Sequence, residues 1–344
     1  MKTLQKAFVL TALLPILANA QQSDFWQQVN GPFGATVEHV VVNPVNDDIC
    51  IYIESEGIFR STDGGASWMP AANAGLPGST PNVLAINASG ALFAGTKTGI
   101  FRSTDNGETW QQVYAGTIRT RQVNSIIINL QNGEIFAGAS FVSDATLLRS
   151  SDNGDSWAEF TAGLSDVWTL HALAQNASTG ALFAATQRGG VLTSTDRGES
   201  WSPVDTTLKK WNITTLVAHT NGDLFAGADS LRKYAIFRYT PGQGKWMKAL
   251  APASQVLALA QSPSGVLYAG TNGTSEGIYI SQDSGRTWQQ SSNGLFNLQI
   301  KALSFDSKDR IYSGTQCAGV FVSSDKGVNW TGINEGLKFS TVLS

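Results

Sequence analysis

One eight-residue pattern, Ser-x-Asp-x-Gly-x-x-Trp, constrains this chain more than any other feature. It occurs at Ser61–Trp68, Ser103–Trp110, Ser150–Trp157, Ser194–Trp201, Ser281–Trp288 and Ser323–Trp330. An extended apolar run precedes each copy, as in Gly99-Ile100-Phe101-Arg102, and another run follows, as in Trp110-Gln111-Gln112-Val113. Two β runs joined by a short polar segment with Gly near its end form a hairpin. The Asp of such a turn accepts a backbone N–H about two residues further on. The Gly supplies a positive φ that a Cβ would resist. The Trp buries ~150–250 Å2 at roughly 25 cal/mol per Å2 and so anchors the unit by a few kcal/mol. Each residue type has a mechanical purpose, and six carboxylates at six turns read as braces rather than six active sites.

The spacing of the pattern gives the architecture. Successive Asp positions are 42, 47, 44, 87 and 42 residues apart, and 87 is two periods. A seventh, degraded unit fills that gap: Ile236-Phe237-Arg238-Tyr239-Thr240-Pro241-Gly242-Gln243-Gly244-Lys245-Trp246, with Trp246 in its place. A period of 42–47 residues containing about four strands is that of a β-propeller. In the second unit Val83–Asn87 forms the inner strand, Ala91–Thr96 the next, Gly99–Ser103 the third and Trp110–Val113 the outer one. Inner strands that are apolar on both faces suit packing between neighbours. Ala94-Gly95, Ala137-Gly138, Ala226-Gly227 and Ala269-Gly270 suit a ring that narrows toward its axis. The fold class is therefore all-β, a seven-bladed β-propeller of four-stranded antiparallel blades. Closure stays open, because Trp26-Gln27-Gln28-Val29 copies an outer strand ahead of the first complete unit, while the last unit carries its own at Trp330–Ile333.

The amino terminus reads as an address. Lys2 and Lys6 precede an apolar run, Ala7–Leu17, and Ala18-Asn19-Ala20 follows it. That is a secretory signal peptide over residues 1–20, leaving 21–344 as one propeller domain, secreted or periplasmic. No other segment reaches the eighteen apolar residues of a membrane span. Removing the two lysines takes the formal charge from −3 to −5, and nothing basic clusters, which argues against a nucleic-acid partner. The only cysteines are Cys50, in a strand, and Cys317, in a hairpin loop, a placement that argues against a bond between them. Together with His39, His171 and His219 they show no zinc-ligand spacing, so no metal and no cofactor are expected.

The six intact motifs resemble the Asp-box, or BNR, repeat over roughly residues 24–340. That resemblance implies a fold shared by sialidases, xyloglucan-cleaving endoglucanases, sortilin-type receptor ectodomains and photosystem assembly factors. It also implies that the boxes, Asp63 through Asp325, lie between third and fourth strands, away from the binding face.

Catalysis finds little support in the residues. A sialidase-like site would need Phe/Tyr-Arg-Ile-Pro early in the chain; Phe59-Arg60 and Phe101-Arg102 instead run straight into boxes. A xyloglucanase-like cleft lies between two propellers, and this chain has room for one. A glycoside hydrolase needs two carboxylates roughly 5–10 Å apart, and nothing selects a pair from Glu54, Glu56, Asp144, Asp166, Asp229 and Glu276. No nucleophile elbow, phosphate loop or His-Glu-x-x-His is present.

Binding is better served. Long connections at Ala139–Leu147 and Ala228–Ala235 would join second to third strands on the face opposite the boxes. Trp168 and Trp211 both precede inner strands and approach that same end. With Arg119, Arg121, Arg188 and Tyr234 they could line a concave site, or each Trp could plug a blade junction. The expected function is non-catalytic recognition of an extracellular or periplasmic protein or glycan by a monomer. A sialidase-like or endoglucanase-like glycoside hydrolase is the alternative.

Overall fold

A computed structural model describes residues 35–77, 81–116, 122–141, 144–165, 167–187 and 189–337. The signal sequence, Trp26–Val29 and residues 338–344 lie outside them. Among the described residues, the chain forms seven four-stranded antiparallel sheets, each running in order from inner to outer strand. Blade 1 consists of Val37–Val42, Ile49–Ile53, Gly57–Ser61 and Met69–Pro70. Blades 2 to 7 have inner strands Val83–Ile86, Gln122–Ile128, Leu170–Gln175, Asn212–Ala218, Val256–Gln261 and Ile300–Phe305. The architecture is the seven-bladed propeller that the repeat spacing predicts.

The hydrophobic core is not one mass but seven clusters, each shared by two neighbouring blades and each holding one repeat tryptophan. Trp110 of blade 2 packs among Cys50, Tyr52 and Ile58 of blade 1. Trp157, Trp201, Trp246, Trp288 and Trp330 occupy the same place at the next five junctions. Trp68 of blade 1 completes the ring by packing with Tyr312 and Val320 of blade 7. The tryptophans are therefore wedges between blades rather than pegs on an outer rim. Apolar sheet faces that one blade cannot cover alone are covered by the next.

The box itself is pressed onto the preceding blade. A Cβ on Gly198 would lie 2.0 Å from Leu147, and one on Gly285 would lie 2.1 Å from Phe225. The residue before each box Gly also takes a positive φ, near 60° at Asn106, Asn153, Arg197, Ser284 and Lys326. The Asp differs from the simple turn expected. In box 2, Asp105 Oδ1 accepts the N–H of Thr109, four residues on, at 2.9 Å, and the Ser103 hydroxyl at 2.7 Å. Ser103 Oγ in turn accepts the Gly107 N–H at 2.8 Å. The same arrangement recurs in the other five intact boxes. Hydrogen bonds from the hydroxyl and N–H four residues on hold these carboxyls well below the usual range, to about 2 at Asp63, Asp152 and Asp283. In the degraded fifth unit Trp246 N–H reaches Asp205 Oδ2 of blade 4 at 3.2 Å instead.

Arginines add a second tie at some junctions. Arg102 donates to Asn153 O at 2.6 Å and to Asp155 at 2.7 Å, and Arg149 donates to Arg197 O at 3.1 Å. At the blade 6–7 junction the equivalent position is Ile280, and Tyr268 takes over the carbonyl, donating to Lys326 O at 3.2 Å.

Among the described residues the first and last blades each have four strands of their own, with no strand exchanged between them. Trp68 Nε1 donates to Ile333 O at 2.6 Å, Trp68 N–H donates to Glu335 O at 3.2 Å, and Ser307 donates to Asp47 through N–H and hydroxyl. Cys50 is buried, Cys317 is half-buried, and both are free thiols. No helix among the described residues is long and apolar enough to cross a membrane.

Two predictions follow from the wedges and braces. Trp110→Ala should cost about 3–5 kcal/mol in chemical denaturation, and a variant as stable as the parent would refute the wedge role. The box carboxyls have folded pKa values depressed below the unfolded one. Their stabilisation is thus present above ~pH 4 and lost as pH falls through about 2, so melting temperature should be level near neutrality and decline below ~pH 4.

Candidate functional site at the channel mouth

Strand direction divides the ring into two ends. The boxes and the turns after the inner strands lie at one end; the second-to-third hairpins and the blade-to-blade connections lie at the other. Trp168 and Trp211 both sit on connections at this second end, as the sequence predicts, but they do different jobs. Trp168 is 38% exposed. Trp211 is half-buried, its ring edge-on to Phe237 at 4.9 Å within the blade 4–5 cluster, and is a plug. Tyr234 stands on the third strand of blade 5 opposite Asp229. Cross-strand partners share a sheet face, and that face turns toward blade 6, whereas Trp211 serves the junction with blade 4. Arg119, Arg121 and Arg188 lie outside the described residues.

The two long connections are not loops. Ile135–Phe141 pairs with Asp144–Ser150, and Leu224–Ser230 with Lys233–Tyr239, so blades 3 and 5 raise seven-residue hairpins above the mouth. The blade 5 hairpin turns on Leu231 and Arg232, both left-handed at φ 49° and 63°. Such a turn favours Asn and Gly, and non-glycine residues held there cost of order 1 kcal/mol each. Leu231 is also 95% exposed, and Phe296, on the connection into blade 7, is 81% exposed. Trp168 and Leu231 thus give this end of the ring an apolar edge, whereas Phe296 rests edge-on against Phe321 of blade 7 at 5.8 Å, beside the segment that accepts the Trp330 N–H.

Inside that edge lies the central channel, about 510 Å3, walled by the inner strands of all seven blades. In six blades the inner strand slips register against its neighbour by one residue. A bulge re-aims the extra side chain. The extra residues are Glu38, Asn124, His171, Thr214, Leu257 and Lys301, with Asn82 at the matching place in blade 2, and all seven line the channel. Sequence reasoning missed this ring. Its trace was a polar residue near the start of an otherwise apolar inner strand, as in Val37-Glu38-His39-Val40 or Ile300-Lys301-Ala302-Leu303.

The ionisable groups here are committed to neighbours. Lys301 Nζ and Glu38 Oε1 stand 3.4 Å apart across the closure seam. Burial lowers His39 to about 4, and its Nε2 donates to Pro81 O at 3.1 Å. Burial also lowers His171, against the opposing pull of Asn212 and Asp229. Asp229 accepts from Gln255 Nε2 at 2.7 Å and Asn212 Nδ2 at 3.2 Å. Burial pushes Glu276 up, yet its bonds from Ser254 Oγ (2.5 Å), Ala253 N–H (2.7 Å) and Tyr279 OH (2.8 Å) leave it below the ordinary carboxylate range. No group of three or more His, Cys, Asp or Glu residues is arranged to hold a metal ion among the described residues.

This geometry defines a class: a single seven-bladed ring of Asp-box repeats, braced at one end and carrying an amphipathic channel mouth at the other. The chain belongs to the photosynthesis system II assembly factor YCF48 family, whose model matches residues 82–342. No curated protein matches the sequence. Among solved structures it is similar to the GH74 xyloglucanase from Xanthomonas campestris, at 17% identity and TM-score 0.71, over 90% of this chain and 56% of that one. The chain thus spans little more than half the length of that enzyme. YCF48 bound to D1 peptide matches at 18% identity and TM-score 0.62, over 86% of this chain and 94% of that one. Virginiamycin B lyase from Staphylococcus aureus matches at 14% identity and TM-score 0.68, over 85% and 95%. At such identities the likeness establishes the fold alone.

The two tryptophans should separate in thermal melts. Trp211→Ala should destabilise by about 2–4 kcal/mol through loss of its seat on Phe237, and Trp168→Ala by less than about 1 kcal/mol. Equal losses would contradict the assignment of plug and rim.

Proposed function

We propose that the chain is an exported, non-catalytic recognition propeller that holds a polypeptide segment of a partner protein across its channel mouth. The carrying observation is that Trp168 and Leu231 stand exposed at the end of the ring where the polar-walled channel opens. Exposed apolar side chains at the rim of a cleft are the usual anchors of protein contacts, with polar groups fixing register. Leu231 supports the reading most directly, since a strained turn that presents an exposed leucine is retained at a cost to the fold. The family relationship and the peptide-bound neighbour favour a polypeptide over a glycan. The commitments of Glu276, Asp229 and Glu38 to neighbouring groups favour holding over hydrolysis.

The test is a tiled-peptide array and a glycan array probed in parallel with the full chain. Peptides should be captured, and Trp168→Ala combined with Leu231→Ala should lower their affinity at least tenfold without shifting the melt. Capture of glycans alone, or release of sugars from an oligosaccharide, would replace this reading with the hydrolase one.

A further inference from the structure

At the bulged position blades 1, 2 and 3 carry Glu38, Asn82 and Asn124, each with a side-chain oxygen that can accept, and the two amides are already oriented. Asn82 Nδ2 donates to Val123 O at 3.1 Å, and Asn124 Nδ2 donates to Ser140 Oγ at 3.0 Å. An amide whose NH2 is committed turns its carbonyl oxygen the other way. Among the described residues no hydrogen bond reaches Oδ1 of Asn82 or Asn124, and neither is a buried unpaired atom. Glu38 lines the same cavity beside them, and its ion pair with Lys301, at 3.4 Å, is a long one.

The other side of the ring has a different character. Thr214 Oγ1 is spent on Val256 O at 2.7 Å and Gly227 O at 3.1 Å, Leu257 is apolar, and His171 is kept neutral by burial. Three adjacent blades therefore offer one carboxylate and two amide oxygens, and among the described residues of the wall Lys301 is the only fixed cation. A ligand carboxylate would compete with Glu38 for that lysine. A ligand rich in N–H donors would meet oxygens on three sides.

We infer that the mouth reads its ligand through a guanidinium group, received by Glu38, Asn82 and Asn124. The inference rests on the polypeptide reading above and names the side chain, arginine, that it selects. Guanidinium fits because its five N–H donors lie in one planar fork with no acceptor, so separate oxygens can be satisfied at once. An ammonium group is a compact point charge that three spread acceptors suit less well.

The experiment is calorimetric titration of the full chain with N-acetyl-arginine amide, with the uncharged isostere N-acetyl-citrulline amide and with N-acetyl-glutamate amide. The arginine compound should bind at least tenfold more tightly than the citrulline one, and the glutamate compound should not bind. Glu38→Gln and Asn124→Leu should each weaken arginine binding at least fivefold with unchanged melts. Lys301→Gln releases Glu38 and should tighten binding, a gain that a damaged fold could not produce. Equal affinity for arginine and citrulline, no arginine binding, or no gain from Lys301→Gln would overturn the inference. Peptides captured regardless of arginine content would overturn it while leaving the polypeptide reading intact. Arginine amide bound without any peptide captured would do the reverse.

Discussion

The whole ring depends on one contact made seven times, a tryptophan set between its own blade and the one before. A four-stranded blade has two apolar faces and no means of covering both, so alone it would expose what it most needs to bury. The wedge solves that problem locally. It also explains why the box glycine has no room for a side chain, since its backbone lies against the previous blade's Leu147 or Phe225. The Asp then has a narrower task than the anchor. It ties the turn to itself, through Thr109 or its equivalent, so that the glycine and tryptophan meet the neighbouring blade in one fixed geometry.

Because the braces lie at one end, the other end is free to vary, and the structure uses that freedom. At the braced end the fifth unit, where the box has decayed, still keeps its tryptophan, and Asp205 from the preceding blade supplies a substitute acceptor. Where arginine is replaced by Ile280, Tyr268 supplies the missing donor. Lost parts are replaced there. At the mouth no such repetition exists. Glu38, Asn82, Asn124, His171, Thr214, Leu257 and Lys301 hold one structural position, and apart from the two asparagines each brings a different chemistry. A position that is geometrically constant while its chemistry changes around the ring is where a symmetric scaffold gains an asymmetric surface.

This contrast also explains what the sequence disclosed. Features repeated in every unit, such as the period, the tryptophans and the four-strand order, were legible because six copies make a pattern visible. The degraded unit, blade 5, could be found from the doubled step of 87 residues with Trp246 in its expected place. Features that arise when the ring closes were not legible. A one-residue register slip shifts no composition, so the bulged residues looked like ordinary members of apolar strands. Trp168 and Trp211 precede their inner strands in the same way, yet Trp211 is seated on Phe237 while Trp168 is 38% exposed. The hairpins of blades 3 and 5 looked like loops because their extra residues, Ala139 or Ala228 for instance, carry little β preference and are held by cross-strand pairing.

The electrostatics of the mouth follow from the same geometry. A proton donor working near neutrality needs a carboxyl pushed upward, and Glu276 is held the other way by donors from Ala253 and Ser254 on the connection into blade 6 and from Tyr279 on that blade's third strand. Asp229 links Asn212 of its own blade to Gln255 at the start of the next. Glu38 and Lys301 join the first blade to the last. Each charged group thus ties one blade to another at the free end, the work that boxes perform at the other end. What remains for a ligand are the uncommitted oxygens between those ties and the apolar edge above them. In the recognition proposed above, that combination would hold a side chain and its backbone without asking any group to change its protonation.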